Sequence, residues 1–292
     1  MSRVFSRDRS SYRWVTFVGV TSVMFSTPRR YVALGDSFTE GVGDDLPDGS
    51  VRGWADLVAG VLSQRWLGQD PAGERTGYAN LAIRGKLLGA IIEEQLDAAV
   101  ALRPDLITFA GGGNDMLRPR MDFPTLLLLL DLGVARLTDT GATVVIFTGA
   151  DPCDGLPLGA RIRAGGDRLA AGVRKIAVKR GALLIDLWPI AELRRPGYWA
   201  PDRLHLNPAG HQQVAGRVLD ALQIDRPAHW TTSLGSELQP ARTTRNQVDF
   251  YREFVGPWVR RRLTGTSSGD HRPPKRPELA QLSDSAAVTP TD

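Results

Sequence analysis

Five short apolar runs, each followed by a stretch of helical length, constrain this chain more than any other feature. They read RYVALG (30–35), GYANLAI (77–83), DLITFAG (105–111), ATVVIFTG (142–149) and ALLIDL (182–187). Several are apolar without alternation, the pattern of strands covered on both faces rather than on one. Between them lie amphipathic stretches at 53–66, 86–102, 122–139 and 159–180. A last helix is marked at its start in HLNPAGHQQVAGRVLDAL, where Asn207 suits the N-cap and Pro208 the first helical position. Strands alternating with helices predict an α/β chain with a doubly wound parallel sheet and helices on both faces.

Bulk composition narrows the function classes. At 42% hydrophobic and 23% charged residues the chain is an ordinary globular one. The net charge of +4 is modest, and no basic stripe interleaved with aromatics points to nucleic acid. A single cysteine, Cys153, excludes a disulfide within the chain. No Cys/His cluster suggests zinc. GVGDDL lacks the third glycine of a dinucleotide fingerprint, and GGGNDM lacks the Lys-Ser/Thr of a phosphate loop. Asp44, Asp45 and Asp48 depart from calcium-loop spacing and read as a solvated loop.

In open α/β sheets, ligands bind outside the carboxyl ends of the strands. Ser37 follows the first run, Arg84 and Gly85 the second, and Gly113, Asn114 and Asp115 the third. Asp202 and His205 lie just before the last helix. This set suits acyl transfer. A serine hydroxyl needs a base, histidine is the natural one near neutral pH, and its second nitrogen needs an acceptor. Asp202 sits three residues before His205, so one turn can fold its carboxylate back onto Nδ1. The backbone N–H groups of Ser37 and Gly85 and the side-chain amide of Asn114 could face an oxyanion. Each residue also has a plain structural reading. Ser37-Phe38-Thr39-Glu40 fits a capping box, Asn114 suits a turn, and Gly85 could simply end a strand. His211 has no evident partner and reads as structural. The leucine run 125–133 reads as a helix buried on more than one side, or as the lining of an acyl-chain groove.

Taken in order, GDSFTEG, NLAIRG, GGND and DRLHLNPAGH resemble the four blocks of the SGNH or GDSL family of serine esterases and lipases. Phe38 stands where the family's short name has Leu. The resemblance spans 34–211 and implies a flavodoxin-like three-layer α/β/α sandwich with a five-stranded parallel sheet. It implies hydrolysis of a small-molecule or lipid ester through an acyl-enzyme on Ser37, with no metal or cofactor. Asp202 and His205 would complete the triad, and Ser37, Gly85 and Asn114 would form the oxyanion hole. A catalytically inactive lipid- or glycan-binding module that keeps the fold and, within enzymes, a thioesterase or a carbohydrate O-deacetylase are the alternatives.

Around this domain, expected over 29–225, the reading places an N-terminal extension (1–28) and a linker with a C-terminal helical extension (226–263). That helix, 244–263, is expected to be interrupted near Pro257. Residues 264–292 are rich in Ser, Pro, Thr and charge and read as a disordered tail. The apolar stretch 14–25 falls short of the roughly 20 residues a spanning helix needs. It is open to three readings: a signal or anchor, residues upstream of a start at Met24, or part of a cytoplasmic protein. The expectation is a cytoplasmic enzyme, with export or membrane contact through 14–25 as the alternative.

Overall fold

The structure, a computed structural model, describes residues 28–69, 77–118, 121–157, 159–230, 248–257, 260, 264 and 266–282. The expected N-terminal extension, its apolar stretch and most of the linker lie outside the described residues. Strands β1 (Arg30–Leu34), β2 (Gly77–Asn80), β3 (Leu106–Phe109), β4 (Thr143–Phe147) and β5 (Leu183–Ile185) pair in parallel in the order 5-4-3-1-2. This is the flavodoxin-like order, whose crevice opens between β1 and β3. Val32, Ala33, Leu34, Leu106 and Ile107 have no exposed surface, which explains why those runs do not alternate.

Helices cover both faces. On one, α2 (Trp54–Gln69) and α7 (Pro208–Ala221) pack Trp54, Val58, Leu62, Val214 and Val218 against Tyr31, Ala33 and Val145. On the other, α3 (Leu88–Ala101), α5 (Phe123–Thr138) and α6 (Gly159–Arg180) pack Leu88, Ile91, Val134 and Val173 against Val32, Leu34 and Ile107. Two short helices, α1 (Ser37–Glu40) and α4 (Gly113–Met116), sit directly after β1 and β3. The leucine run lies on α5. Leu126 and Leu130 are buried, while Leu128 is 58% exposed, so the run is an amphipathic helix with one wet edge.

The disordered tail expected over 264–292 is corrected within its described part, 266–282. Arg276–Gln281 forms a sixth strand, β6, antiparallel to β2 at the sheet edge. Its sequence, RPELAQ, hides a strand because an edge position asks for little apolar surface. Backbone bonds to β2 hold it, Leu282 enters one core cluster, and Leu279 packs against the other. Among the described residues the sheet therefore has six strands, five of them parallel. The C-terminal helix is also present in part. Residues 248–257 are helical, widened by a π turn at Tyr251–Val255 in which Gly256 N–H donates to the Tyr251 carbonyl. Pro257 is the last described residue of this run, and the interruption expected near it falls outside the described residues. The widened turn just before Pro257 suits a residue that cannot donate to the preceding turn.

Among the described residues, no helix is long and apolar enough to cross a membrane.

Candidate active site

The chain leaves β1 and turns at once into α1. Asp36 is the N-cap, its Oδ1 accepting from Phe38 N–H at 3.1 Å. This corrects the capping-box reading. Ser37 is the first helical residue and does not cap it, and the Glu40 carboxylate does not reach back to the cap. Instead Glu40 accepts from Arg84 N–H at 2.6 Å and from the Arg84 guanidinium at 2.9 and 2.6 Å. These charge-assisted bonds, worth about 1.5–3 kcal/mol each in such settings, tie the turn after β1 to the turn after β2. Phe38 anchors α1 from beneath, with ring centroids 5.5 Å from Trp54 and 5.6 Å from Phe147.

Ser37 Oγ lies 2.9 Å from His205 Nε2, and His205 Nδ1 lies 2.5 Å from Asp202 Oδ2. Asp202 Oδ1 accepts from the backbone N–H groups of Leu204 and His205, both at 3.0 Å. Burial alone would raise the Asp202 pKa. The imidazole beside it and these two N–H groups outweigh burial and lower it. Asn207 caps α7 through Gly210 N–H at 3.0 Å, which fixes where the loop 202–206 enters the helix. The loop is braced further by Asn207 Nδ2 donating to the Gly197 carbonyl at 2.7 Å.

Across the crevice, Asn114 is the second residue of α4. Its Nδ2 donates to Asp36 Oδ2 and to the Lys86 carbonyl, both at 3.1 Å. The amide is thus aimed by the residue before Ser37 and by the residue after Gly85. Gly85 has φ +75°, in a turn where Lys86 N–H meets the Ile83 carbonyl at 3.4 Å. The structure therefore gathers Ser37, Gly85, Asn114, Asp202 and His205 around one crevice at the carboxyl ends of β1, β2 and β3. Burial pushes the Asp36 carboxyl up to about 6, with Asp115 adding to the rise and the Phe38 N–H and His205 opposing it.

His211 is wholly buried on α7. Its Nδ1 accepts from Trp54 N–H at 3.2 Å and its Nε2 donates to the Val42 carbonyl at 3.3 Å. Burial lowers its pKa to about 4, so it stays a neutral brace between α2 and the loop after α1. Asp44 ion-pairs with Arg52 at 3.0 Å, a structural role for that acidic loop.

Comparison with known proteins decides the family. The model of the GDSL-like lipase/acylhydrolase family matches residues 33–213. The chain belongs to the GDSL-like lipase/acylhydrolase family. By that membership the GDSL-like chain is an ester-bond hydrolase. Solved structures agree on the fold. An α/β hydrolase from the metagenome of Lake Arreo, Spain, is 24% identical, with 69% of this chain and 98% of that one covered at a TM-score of 0.54. A catalytic mutant of an acetylxylan esterase from Geobacillus stearothermophilus is 18% identical, with 70% and 98% covered at 0.56. A lipase/acylhydrolase of Enterococcus faecalis is 19% identical, with 67% and 95% covered at 0.51. A search of curated proteins returned no match.

Three residues position this GDSL-like site without a role assigned to them from the sequence; Asn80 and Asp115 lie inside the NLAIRG and GGND blocks, and Gln95 lies outside any block. Gln95 of α3 grips Gly35 twice, accepting from its N–H and donating to its carbonyl, both at 2.9 Å. Asn80 ends β2 and donates to the Thr39 carbonyl at 2.9 Å. Asp115 accepts from Leu88 N–H at 2.9 Å, filling the cap that Leu87 cannot supply to α3. The signal was there for Gln95 and Asn80: each is a polar residue set in an otherwise apolar face and almost wholly buried.

Proposed function

We propose that the chain hydrolyses carboxylic esters of small molecules through an acyl-enzyme on Ser37. The observation that carries this reading is the chain of contacts Ser37 Oγ–His205 Nε2 at 2.9 Å and His205 Nδ1–Asp202 Oδ2 at 2.5 Å. His205 accepts the hydroxyl proton as Ser37 Oγ bonds to the carbonyl carbon. Asp202 holds the ring so that Nδ1 carries a proton and Nε2 is free to receive one, and it steadies the imidazolium that forms. The carbonyl oxygen becomes an oxyanion facing the N–H groups of Ser37 and Gly85 and the Asn114 amide, which gives up one of its two bonds, to Asp36 or to the Lys86 carbonyl, to serve it. His205 then returns its proton to the leaving alkoxide, and the C–O bond breaks to leave the ester of Ser37. A water repeats the sequence, losing one proton to His205 and releasing the carboxylic acid as Ser37 recovers its own.

The position of Ser37 supports this order of events. As the first residue of α1 it presents an unused helical N–H at the same point as its hydroxyl. Nitrophenyl acetate hydrolysis tests the reading, together with covalent labelling by an alkyl phosphonate. Ser37→Ala is expected to lose roughly 10⁴-fold or more in kcat and to resist the label. Unchanged turnover in that variant, or a label on another residue, overturns it.

A further inference from the structure

The helix that carries Ser37 cannot hold itself in place. Helix α1 is one turn of 4 residues, and a single turn has no cooperative stability of its own. Its position is set by what grips it from outside. Three grips come from within the family match. The Phe38 ring packs against Trp54, Asn80 holds the Thr39 carbonyl, and Arg84 holds the Glu40 carboxylate. A fourth comes from beyond residues 33–213. Lys275, just before β6, donates from Nζ to the carbonyl of Glu40, the last residue of the helix.

The ammonium group is fully used. Besides Glu40 it donates to the Val51 carbonyl at 3.2 Å and to Asp56 Oδ2 at 2.6 Å. Three N–H donors meet three acceptors, with the lysine side chain 19% exposed and the Asp56 side chain 16%. A charge taken this far from water is tolerated because it is paired and hydrogen-bonded. Asp56 is itself held by Gly53 N–H at 2.9 Å.

Lys275 joins the two ends of one loop. Residues 41–52 leave α1 and return toward α2, and the two arms touch at the neck, where a Cβ on Gly41 would strike the Arg52 carbonyl. Glu40 stands on one side of that neck and Val51 on the other, and Lys275 bonds both. The body of the loop reaches the other half of the site. Gly43, at φ +100°, lies so close to the Leu206 carbonyl that no side chain would fit between them, and Leu206 directly follows His205. The Val42 carbonyl accepts from His211 of α7. The loop therefore runs from the helix of Ser37 to the segment of His205, and Lys275 closes it at its base.

We infer that Lys275 is a positioning residue for the reaction, closing this loop so that Ser37 is held against His205; this rests on the ester hydrolysis proposed above. The three acceptors of Lys275 belong to the scaffold, so it acts through α1 and not on the substrate. What it protects is the 2.9 Å contact between Ser37 Oγ and His205 Nε2. A misplacement of about 1 Å at such a contact costs roughly 10²-fold in rate.

The test uses the full chain, nitrophenyl acetate and the alkyl phosphonate. Lys275→Met keeps the reach of the side chain and removes its three bonds. kcat should fall about 10- to 10²-fold while KM changes by less than about twofold, and labelling of Ser37 should slow in proportion. Rates are taken per mole of protein that finally accepts the label, so unfolded chains drop out. Leu282→Ala is the control. It loosens the same segment from the core while sparing the bonds of Lys275, so it should lower the denaturant midpoint and leave kcat unchanged. Where Lys275→Met does not fold, Asp56→Asn takes its place. It weakens one of the three bonds, and kcat should fall several-fold with KM held. An unchanged kcat in the variant that folds, a loss confined to KM, or an equal loss of kcat in Leu282→Ala overturns this inference alone. Failure of the wild type to hydrolyse nitrophenyl acetate overturns the esterase reading, and this inference with it.

Discussion

Asp202 and Asp36 face the same crevice from opposite sides, yet their carboxyls are displaced in opposite directions. Asp202 is lowered, because an imidazole and two backbone N–H groups meet it and outweigh its burial. Asp36 is raised to about 6, because burial dominates and Asp115 adds like charge, while one backbone N–H and His205 only partly compensate. In the proposed reaction the first arrangement stabilises a cation that forms and disappears. The second holds a neutral amide still. A carboxylate that orients Asn114 is costly to the fold, and its neighbours are polar only as far as that orientation needs.

That contrast can be broken from either side. Asp202→Asn leaves the shape but removes the charge opposite His205, and kcat should fall by roughly 10⁴-fold, measured on nitrophenyl acetate. Asn114→Ala removes one of the proposed oxyanion donors while leaving Ser37 and His205 in place, and kcat should fall about 10²- to 10³-fold. Equal losses in the two variants would mean that the two sides are not separate devices. The phosphonate should still label Ser37 in Asn114→Ala more readily than in Asp202→Asn.

Smaller effects appear in stability against pH, read as denaturant midpoints from pH 4 to 7. Asp36 has a folded pKa of about 6 against an ordinary 3.8. The folded chain holds its proton where the unfolded chain has lost it, so stability falls as pH rises through that window, by up to about 3 kcal/mol. His211 runs the other way, at about 4 against 6.5. The folded chain refuses a proton that the unfolded chain accepts, so its contribution is complete above pH 6.5 and is lost toward pH 4, again by about 3 kcal/mol. In the wild type the two slopes nearly offset each other. Asp36→Asn should unmask stability that rises with pH, and His211→Gln stability that falls with pH. Parallel curves for both variants would refute the assignment of these slopes.

Much of this arrangement was legible in the sequence, and the reasons differ by residue. Ser37, Gly85, Asn114, Asp202 and His205 could be singled out because a parallel sheet sends every strand's carboxyl end to one rim. Position after a strand therefore carries spatial information. Helix and strand periods likewise gave the layers. The capping assignment failed because Asp36 and Ser37 are adjacent and both cap helices well; only the extended backbone of Asp36 separates them. Gln95 and Lys275 act on Gly35 and Glu40 from distant parts of the chain, and local pattern contains nothing about such pairings. β6 was missed because a strand that borrows its hydrogen bonds from a neighbour needs almost no hydrophobic pattern of its own.

That strand has a consequence for how the chain is made. During synthesis the edge of β2 emerges roughly two hundred residues before the segment that will cover it. A nascent chain carrying all five parallel strands still displays an open row of backbone groups, the kind of template on which chains aggregate. The cover, once added, does not pass the hazard on. Its own outer edge carries Arg276, Pro277 and Glu278, a proline and two charges on a short strand, which leave a passing chain little to pair with.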